Sequence, residues 1–558
     1  MHPRVKAFLG LLVLGALALG CAQAAPTASA PTQAPVSPPT QGPTVRPTAA
    51  PTQGGDRAST YIIAASGDLE GWDPATATYY TALDIMANVY DSLLDYDVST
   101  DSQGRAVADV TKFRGKLAET FSVSADGKAW TFKLRKGAKF ASGNDVTSAD
   151  VKYSLDRPLL MGTGILNTML NLGGIITTTQ VVAVDPTTVR IDLDKPNPLL
   201  PHMLALAANS GILDSKLVQA NCTADDPFGT KWLRNHVAGS GPYSLEKSEP
   251  GNQVTFVANK NYWGPAPKMQ KVIYKTVPSA QDRMMLLMSG AVDQAYDIPG
   301  QDLTTTLKNA QGIKIMSFAA PSTTVFFVNN NLPPFDNVKV RKALCYAVPY
   351  QALIDKVLYG LGTPAVGPMA NGVLFGKKCN ECTYDLAKAK SLLAEAGLAG
   401  GFDMTLTYRE GRPEEESSAV FLQAELAKIN VRVTLEKIQT AAWNERRANK
   451  AINAGIDSYT PYAPDPNYVL EFWYKTGASL NTWQYSNKRV DELAKMSVTE
   501  TDAVKRQALI EEAQDLIGKD QPVIWLFNPY WNLVVRDNVR GYVFYPDRAT
   551  RPANLSKD

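Results

Sequence analysis

Hydrophobic and polar positions along this chain alternate with two different periods. From Ala129 to Leu134 the side chains of Trp130, Phe132 and Leu134 fall on every second position, which predicts a half-buried strand. Its partner precedes it within 117–140, across the turn Ser124-Ala-Asp-Gly-Lys128. Between Thr81 and Leu94, by contrast, Leu83, Met86, Val89, Tyr90, Leu93 and Leu94 share one face of a helix. Thr147-Ser-Ala-Asp150 reads as a capping box opening a helix around Val151–Leu155. Thr60 to Ala65 predicts a short strand, Val181–Val184 and Thr188–Leu193 a hairpin around Asp185-Pro186, and Ala280–Gly290 a Met-rich helix. The same mixture continues through 313–330, 338–360, 385–397, 403–408, 415–429 and 431–439. A helix near 502–518 and strands near 523–527 and 531–535 close the chain. No repeat period emerges, so the pattern is that of an α/β protein with short, interleaved elements.

Two stretches near the start break the alternation. Ala7–Gly20 is an unbroken small and apolar run behind His2, Arg4 and Lys6, the layout of an export signal. It is short for a permanent membrane span. It ends in Ala18-Leu19-Gly20-Cys21, which resembles the lipobox of bacterial lipoproteins, whose cysteine thiol is acylated. Ala18 stands where those sequences usually carry leucine, and cleavage after Ala24 would instead release a soluble chain. The stretch that follows favours the anchor. Ala24–Gly55 is built of Pro, Thr, Ala, Gln, Ser and Gly with a few Val, and Arg46 is its single charge. Such a segment buries too little to offset its ordering entropy and predicts a disordered tether with polyproline II character. At about 3.1 Å per residue it could hold a domain roughly 100 Å from the bilayer. The expectation is a signal segment over 1–20, a tether over 21–57, and a location in the cell envelope, on the outer face of the cytoplasmic membrane or in the periplasm.

The remaining residues, about 500, exceed one ordinary core and imply at least two lobes. With 45% hydrophobic and 20% charged residues the composition is globular, and a net charge of +2 without a long basic run argues against a nucleic-acid partner. Nine Trp and 23 Tyr suit either a pocket lined with rings or a large core.

Cysteine and histidine usage narrows the chemistry. Beyond Cys21 the chain carries Cys222, Cys345, Cys379 and Cys382, and in an oxidising compartment Cys379-x-x-Cys382 could close a local disulfide. Cys345, on an apolar helical face, reads as a buried small residue. A metal site is not expected, because there is no second CxxC and neither His202 nor His236 sits in a ligand-spaced cluster. Ser244-Leu-Glu-Lys247 and Lys475-Thr-Gly477 imitate motifs of penicillin-recognising serine enzymes. That chemistry needs the serine at a helix start, whereas here it sits between Gly-Pro-Tyr and Pro250-Gly251, in strand and turn context. No GxSxG, Walker loop or HExxH occurs, so an enzyme is not expected.

Several ordered blocks carry a resemblance. They are Leu117-Ala-Glu-Thr-Phe121 with Ala129-Trp-Thr-Phe-Lys-Leu-Arg-Lys-Gly-Ala-Lys-Phe140, Val146–Leu155, Gly239-Ser-Gly-Pro-Tyr243 and Asn259-Lys-Asn-Tyr-Trp-Gly264. Val340-Arg-Lys-Ala-Leu344, Tyr384–Gly397, and Asn487 with Val490-Asp-Glu-Leu493 follow. Together they make the chain similar to bacterial extracellular solute-binding proteins of family 5, which include oligopeptide-, dipeptide- and nickel-binding proteins. The resemblance implies a two-lobed periplasmic-binding-protein-like α/β fold of class II, the large type with an extra subdomain, mixed sheets and a hinge. It implies one lobe from 58–320 and 520–558, with a subdomain near 90–235, and another from 321–519. It implies capture of a small, peptide-like ligand by lobe closure. The protein would be a monomer without a cofactor that delivers the ligand to the permease and ATPase of an ABC importer.

Individual residues follow from the same resemblance. Binders of zwitterionic dipeptides hold the ligand amine with an Asp shortly before an Asp-Pro pair; here Asp465-Pro466 is kept, but Tyr462 occupies the amine-binding position. Arg412, after the strand Met404–Thr407, falls where an arginine grips the ligand carboxylate. Pairing of Arg412 with Glu410 or Glu414 at the surface is the alternative. Tyr79 and Tyr80 follow Trp72-Asp-Pro74 on the opposite lobe, and Trp483 is a further aromatic candidate. Trp130, Trp443 and Trp525 are assigned to the core. An oligosaccharide or opine ligand, or a role as a ligand sensor, would fit the same fold.

Overall fold

The computed structural model describes residues 57–67, 71–77, 80–206, 211–461 and 463–558. The signal segment, Cys21 and the tether to Asp56 lie outside these residues, as do Tyr79 and Tyr462. Tyr80 begins a helix, Tyr80–Val89, but its side chain is likewise outside the description.

Strand β1 (Thr60–Ala65) is buried along its whole length, as a strand covered on both faces should be. The chain next builds a smaller unit. It comprises a hairpin of β2 (Leu94–Thr100) and β3 (Ala106–Gly115) and a sheet of β4 (Ala118–Val123), β5 (Ala129–Leu134), β6 (Val181–Asp185) and β7 (Thr188–Asp192), ordered β4-β5-β7-β6. The capping box at its helix Ser148–Met161 is formed, the Thr147 N–H donating to Asp150 Oδ2 at 2.9 Å. The strands β8 (Tyr243–Glu249), β9 (Gln253–Ala258), β10 (Lys271–Thr276), β11 (Gln294–Ala295) and β12 (Ile313–Ala319) then return to the β1 side. A second group follows, of β13 (Thr323–Val328), β14 (Gly362–Pro364), β15 (Phe402–Arg409), β16 (Val431–Ile438) and β17 (Ala454–Tyr459). Finally β18 (Val523–Arg536) runs through both groups, giving the order β16-β15-β17-β13-β18-β11-β1-β10-β9-β8 with β12 and β14 also paired to β18.

The partners of β18 change at its middle. Val523 to Phe527 pair with β13, whereas Tyr530 to Arg536 pair with β12. Pro529, which has no N–H to donate, stands at the change. The other connection is Ala320-Pro321-Ser322, between β12 and β13. Among the described residues two lobes are thus joined by two crossings, each carrying a proline. The sequence pattern expects separate strands near 523–527 and 531–535; they are one strand because β14 pairs across the join, Gly362 with Pro529 and Thr363 with Asn528. Conversely, the stretch 313–330 is divided at Pro321.

The helix expected over 81–94 ends at Val89. Gly239 and Gly241 press on the backbone there: a Cβ on Gly239 would lie 1.9 Å from the Val89 carbonyl oxygen, and one on Gly241 2.6 Å from its carbonyl carbon. Ser240 and the Trp263 indole both donate to Asp91 Oδ2, at 3.0 and 2.9 Å, and Lys116 pairs with Oδ1 at 3.2 Å. The Gly-Ser-Gly-Pro block is therefore a packing device. Gly239→Ala is expected to cost about 1–3 kcal/mol, because the chain must shift to admit the methyl group. A thermal-unfolding midpoint equal to that of the parent would refute this.

The cysteine pairing differs from the expected one. Cys382 is bonded to Cys345, with Cα atoms 5.9 Å apart, and Cys379 is a free thiol. Cys345 lies on the helix Val338–Tyr346 and is fully buried, as its apolar face suggested, but as half of a disulfide. The CxxC segment instead runs without regular secondary structure past Gly367 and Gly518, whose missing side chains make room for Cys379. A Cβ on Gly367 would fall 2.7 Å from the Cys379 sulfur. Burial pushes that thiol up to about 12, so it is a poor nucleophile.

Candidate binding site between the lobes

The parallel strands of both lobes end facing the crossings. In the second lobe β15 runs parallel to β16 and β17, and Tyr459 at the end of β17 pairs with Thr323, the first residue after the crossing. In the first lobe β1 is parallel to β10 and β11, and β11 advances from Val535 to Val534 of β18, toward Pro529. In open α/β sheets ligands sit outside the carboxyl ends of the strands. Here those ends are Ser66-Gly67 and Asp297 on one side, and Arg409 to Arg412 and Tyr459 to Pro461 on the other.

Of the two arginines after β15, one is occupied. Arg409 donates to Glu415 (Nε–Oε1 2.9 Å) and to Asp457 (3.0 Å), and its guanidinium lies 5.0 Å from the centre of the Trp443 ring. Arg412 caps the helix Pro413–Ala427, is exposed, and has no side-chain hydrogen bond or ion pair among the described residues. Glu410 is engaged by Gln439 instead. Glu414 is exposed; the Arg412 charge favours its carboxylate, but the two form no ion pair. The surface pairing of Arg412 with Glu410 or Glu414 is thus not what the structure contains. Among the described residues, its guanidinium is left without a partner just past a strand end.

Two other sequence candidates are corrected. Asp465 is fully buried and caps the helix Pro466–Val469, with Arg506 Nη2 2.8 Å from both of its oxygens. Its carboxylate is committed internally, because a charge at that depth needs a partner. Trp483 is also core, 1% exposed, with ring centroids 6.3 Å from Phe327 and 5.5 Å from Tyr474. Trp443 and Trp525 are fully buried and Trp130 is 9% exposed.

The sequence reading missed the floor where the crossings meet. The Asn528 amide donates to the Ser322 carbonyl at 2.8 Å and to Thr323 Oγ1 at 2.7 Å, clasping one crossing to the other. Thr460 Oγ1 donates to Ser322 Oγ at 3.0 Å. The available signal was an Asn-Pro pair inside a strand pattern. On the first lobe, Asp73 is held by both Nη atoms of Arg157, at 2.7 and 2.6 Å, fixing the loop that leads to Tyr79 and Tyr80. A concavity of about 760 Å³ lies elsewhere on the second lobe, beside the disulfide and lined by residues such as Tyr350, Asn371 and Tyr384. It includes none of the predicted ligand-binding residues, although Cys382 is on its wall.

Comparison with known proteins decides the family. Residues 112–481 match the profile of the bacterial extracellular solute-binding proteins, family 5. The chain belongs to this family. Among family 5 relatives, the probable D,D-dipeptide-binding periplasmic protein of Escherichia coli is 27% identical over 489 residues, covering 87% of this chain and 91% of that one. The glutathione-binding protein of Shigella flexneri is 29% identical over 509 residues, covering 88% and 93%. The dipeptide-binding protein of Pseudoalteromonas sp. SM9913, solved in complex with Met-Leu, superposes with a TM-score of 0.75 at 23% identity, covering 89% and 100%. The family 5 fold, a two-lobed periplasmic-binding-protein-like α/β architecture with mixed sheets, is therefore that of this chain, which is an extracytoplasmic solute-binding protein.

Proposed function

We propose that this family 5 protein captures a peptide-like solute bearing a carboxylate between its lobes and passes it to an ABC importer. The observation that carries the reading is Arg412, a guanidinium without a partner among the described residues, in the turn just past the carboxyl end of β15. A planar, always-charged fork suits a carboxylate and orients it. Relatives named for dipeptide and glutathione binding support the ligand class. Tyr79 and Tyr80 from the first lobe and Tyr462 from the second complete the proposed contacts. A division into lobes at 58–320 and 321–519 belongs to the same reading, with the return to the first lobe moved from 520 to Pro529. The protein acts as a monomer held by a lipid on Cys21, and Cys21→Ser is the variant that would free it from membranes.

Native mass spectrometry of the purified protein against a panel containing Met-Leu and glutathione would identify a binder. For that binder, Arg412→Ala is expected to weaken affinity about 10–100-fold, the worth of one charge-assisted hydrogen-bonded pair. Unchanged affinity would sink the carboxylate clamp.

A further inference from the structure

Where the smaller unit of the first lobe meets the second lobe, a histidine is sealed in. His202 lies on the helix Leu200–Ala205 and is 3% exposed. Its Nδ1 is 3.0 Å from the Tyr96 hydroxyl, and the Phe113 ring stands edge-on at 4.9 Å. Across the lobe boundary its Nε2 is 4.0 Å from Asp465 Oδ2. That carboxylate is already held by Arg506, which also donates to Asn467 Oδ1 at 2.6 Å and to the Ser497 carbonyl at 3.0 Å. A second contact between the same two bodies lies at the β4–β5 turn, where a Cβ on Gly127 would be 3.3 Å from the Thr501 methyl carbon.

We propose that His202 makes closing of the two lobes pH-dependent, its protonation favouring the open arrangement and release of the captured solute. This rests on the closing-cleft reading above. Burial fixes the sign. Asp465 favours an imidazolium, Arg506 offsets part of that attraction, and removal from water outweighs both. Burial pushes the His202 imidazole down to about 4, Asp465 opposing and Arg506 adding to the effect. The other neighbours do not reverse this. On β2, Tyr96 is neutral, its hydroxyl pushed well above its ordinary value by burial, and Asp95 pairs with Arg114 of β3 at 2.8 Å. Asp97 of β2 is half-buried; on β3, Asp109 pairs with Lys112 at 3.1 Å. Beyond Tyr96, Asp547 pairs with Arg551 at 2.7 Å. The helix Ile165–Leu172, packed on the other side, has no titratable residue.

Opening the lobes would return His202 to water, where an imidazole titrates near about 6.5. The open form then binds the proton more tightly, so closure is favoured above that pH and lost as the pH falls. With about 4 for the closed form, the closed-to-open ratio is expected to drop roughly tenfold by pH 5.5. Small-angle scattering of the full ligand-free chain at pH 7.5 and 5.0 reads this directly. The parent should expand at the lower pH, and His202→Gln, which cannot titrate, should not. Equal expansion of both, or expansion of neither, overturns the proposal. Should His202→Gln fail to fold, NMR of the parent decides: a His202 titration near 6.5 at constant dimensions also overturns it. Failure of the peptide panel to bind, with the scattering result intact, would count against the ligand reading and leave this device standing.

Discussion

Replacing Arg506 by methionine is expected to lower the unfolding free energy by about 3–5 kcal/mol, among the largest effects of any single substitution in this chain. The reason is the carboxylate left behind. Asp465 has no solvent exposure, and Arg506 contacts both of its oxygens at 2.8 Å. Without the guanidinium the charge is stranded in a medium that cannot solvate it. Two controls separate this from lost packing. Adding Asp465→Asn removes the stranded charge and should recover much of the loss. The single variant should also become less unfavourable as the pH falls. Acid neutralises a carboxylate stranded in a poorly solvating interior, and alkali restores its cost. Guanidinium unfolding at pH 4.5 and 8 measures both, and a penalty independent of pH and untouched by Asp465→Asn would refute the account.

Converting Cys345 and Cys382 together to alanine is expected to cost about 4 kcal/mol on the chain-entropy relation, for a bridge between residues 37 apart in sequence. The bridge fastens the loop over 379–382 to the helix Val338–Tyr346, so its removal should also loosen the segment that carries Cys379. A non-reducing digest must then show the 345 and 382 peptides linked and the 379 peptide free. A link between 379 and 382 would reverse the assignment. Cys379 itself should alkylate slowly in the native protein, since burial holds its thiol near about 12.

These two effects also mark where the sequence stopped being legible. Local rules read well: the alternation of Trp130, Phe132 and Leu134 became β5, and the box at 147–150 opened its helix. The family blocks read well too, because each is a local device with a fixed composition. What failed depends on distant chain segments. Asp465 looked like a cleft residue because its partner Arg506 is 41 positions away on another helix. Cys382 looked like a partner for its near neighbour, whereas the fold brings Cys345 within reach. The continuity of β18 through Asn528-Pro529 was hidden because proline signals a break unless a partner strand such as β14 spans it. The sequence offers Arg412 as a candidate, yet only the structure distinguishes it from Arg409, three residues earlier and fully engaged.

The clasp of Asn528 on Ser322 and Thr323 has a mechanical corollary. Two straps fastened side by side, each stiffened by a proline, leave a rigid body one soft rotation, about an axis through the fastening; twisting and sliding would have to break it. Under the closing-cleft proposal, every solute that fits would be carried through the same arc to the same end point. A protein waiting at the membrane needs to learn one silhouette, whatever the cargo inside.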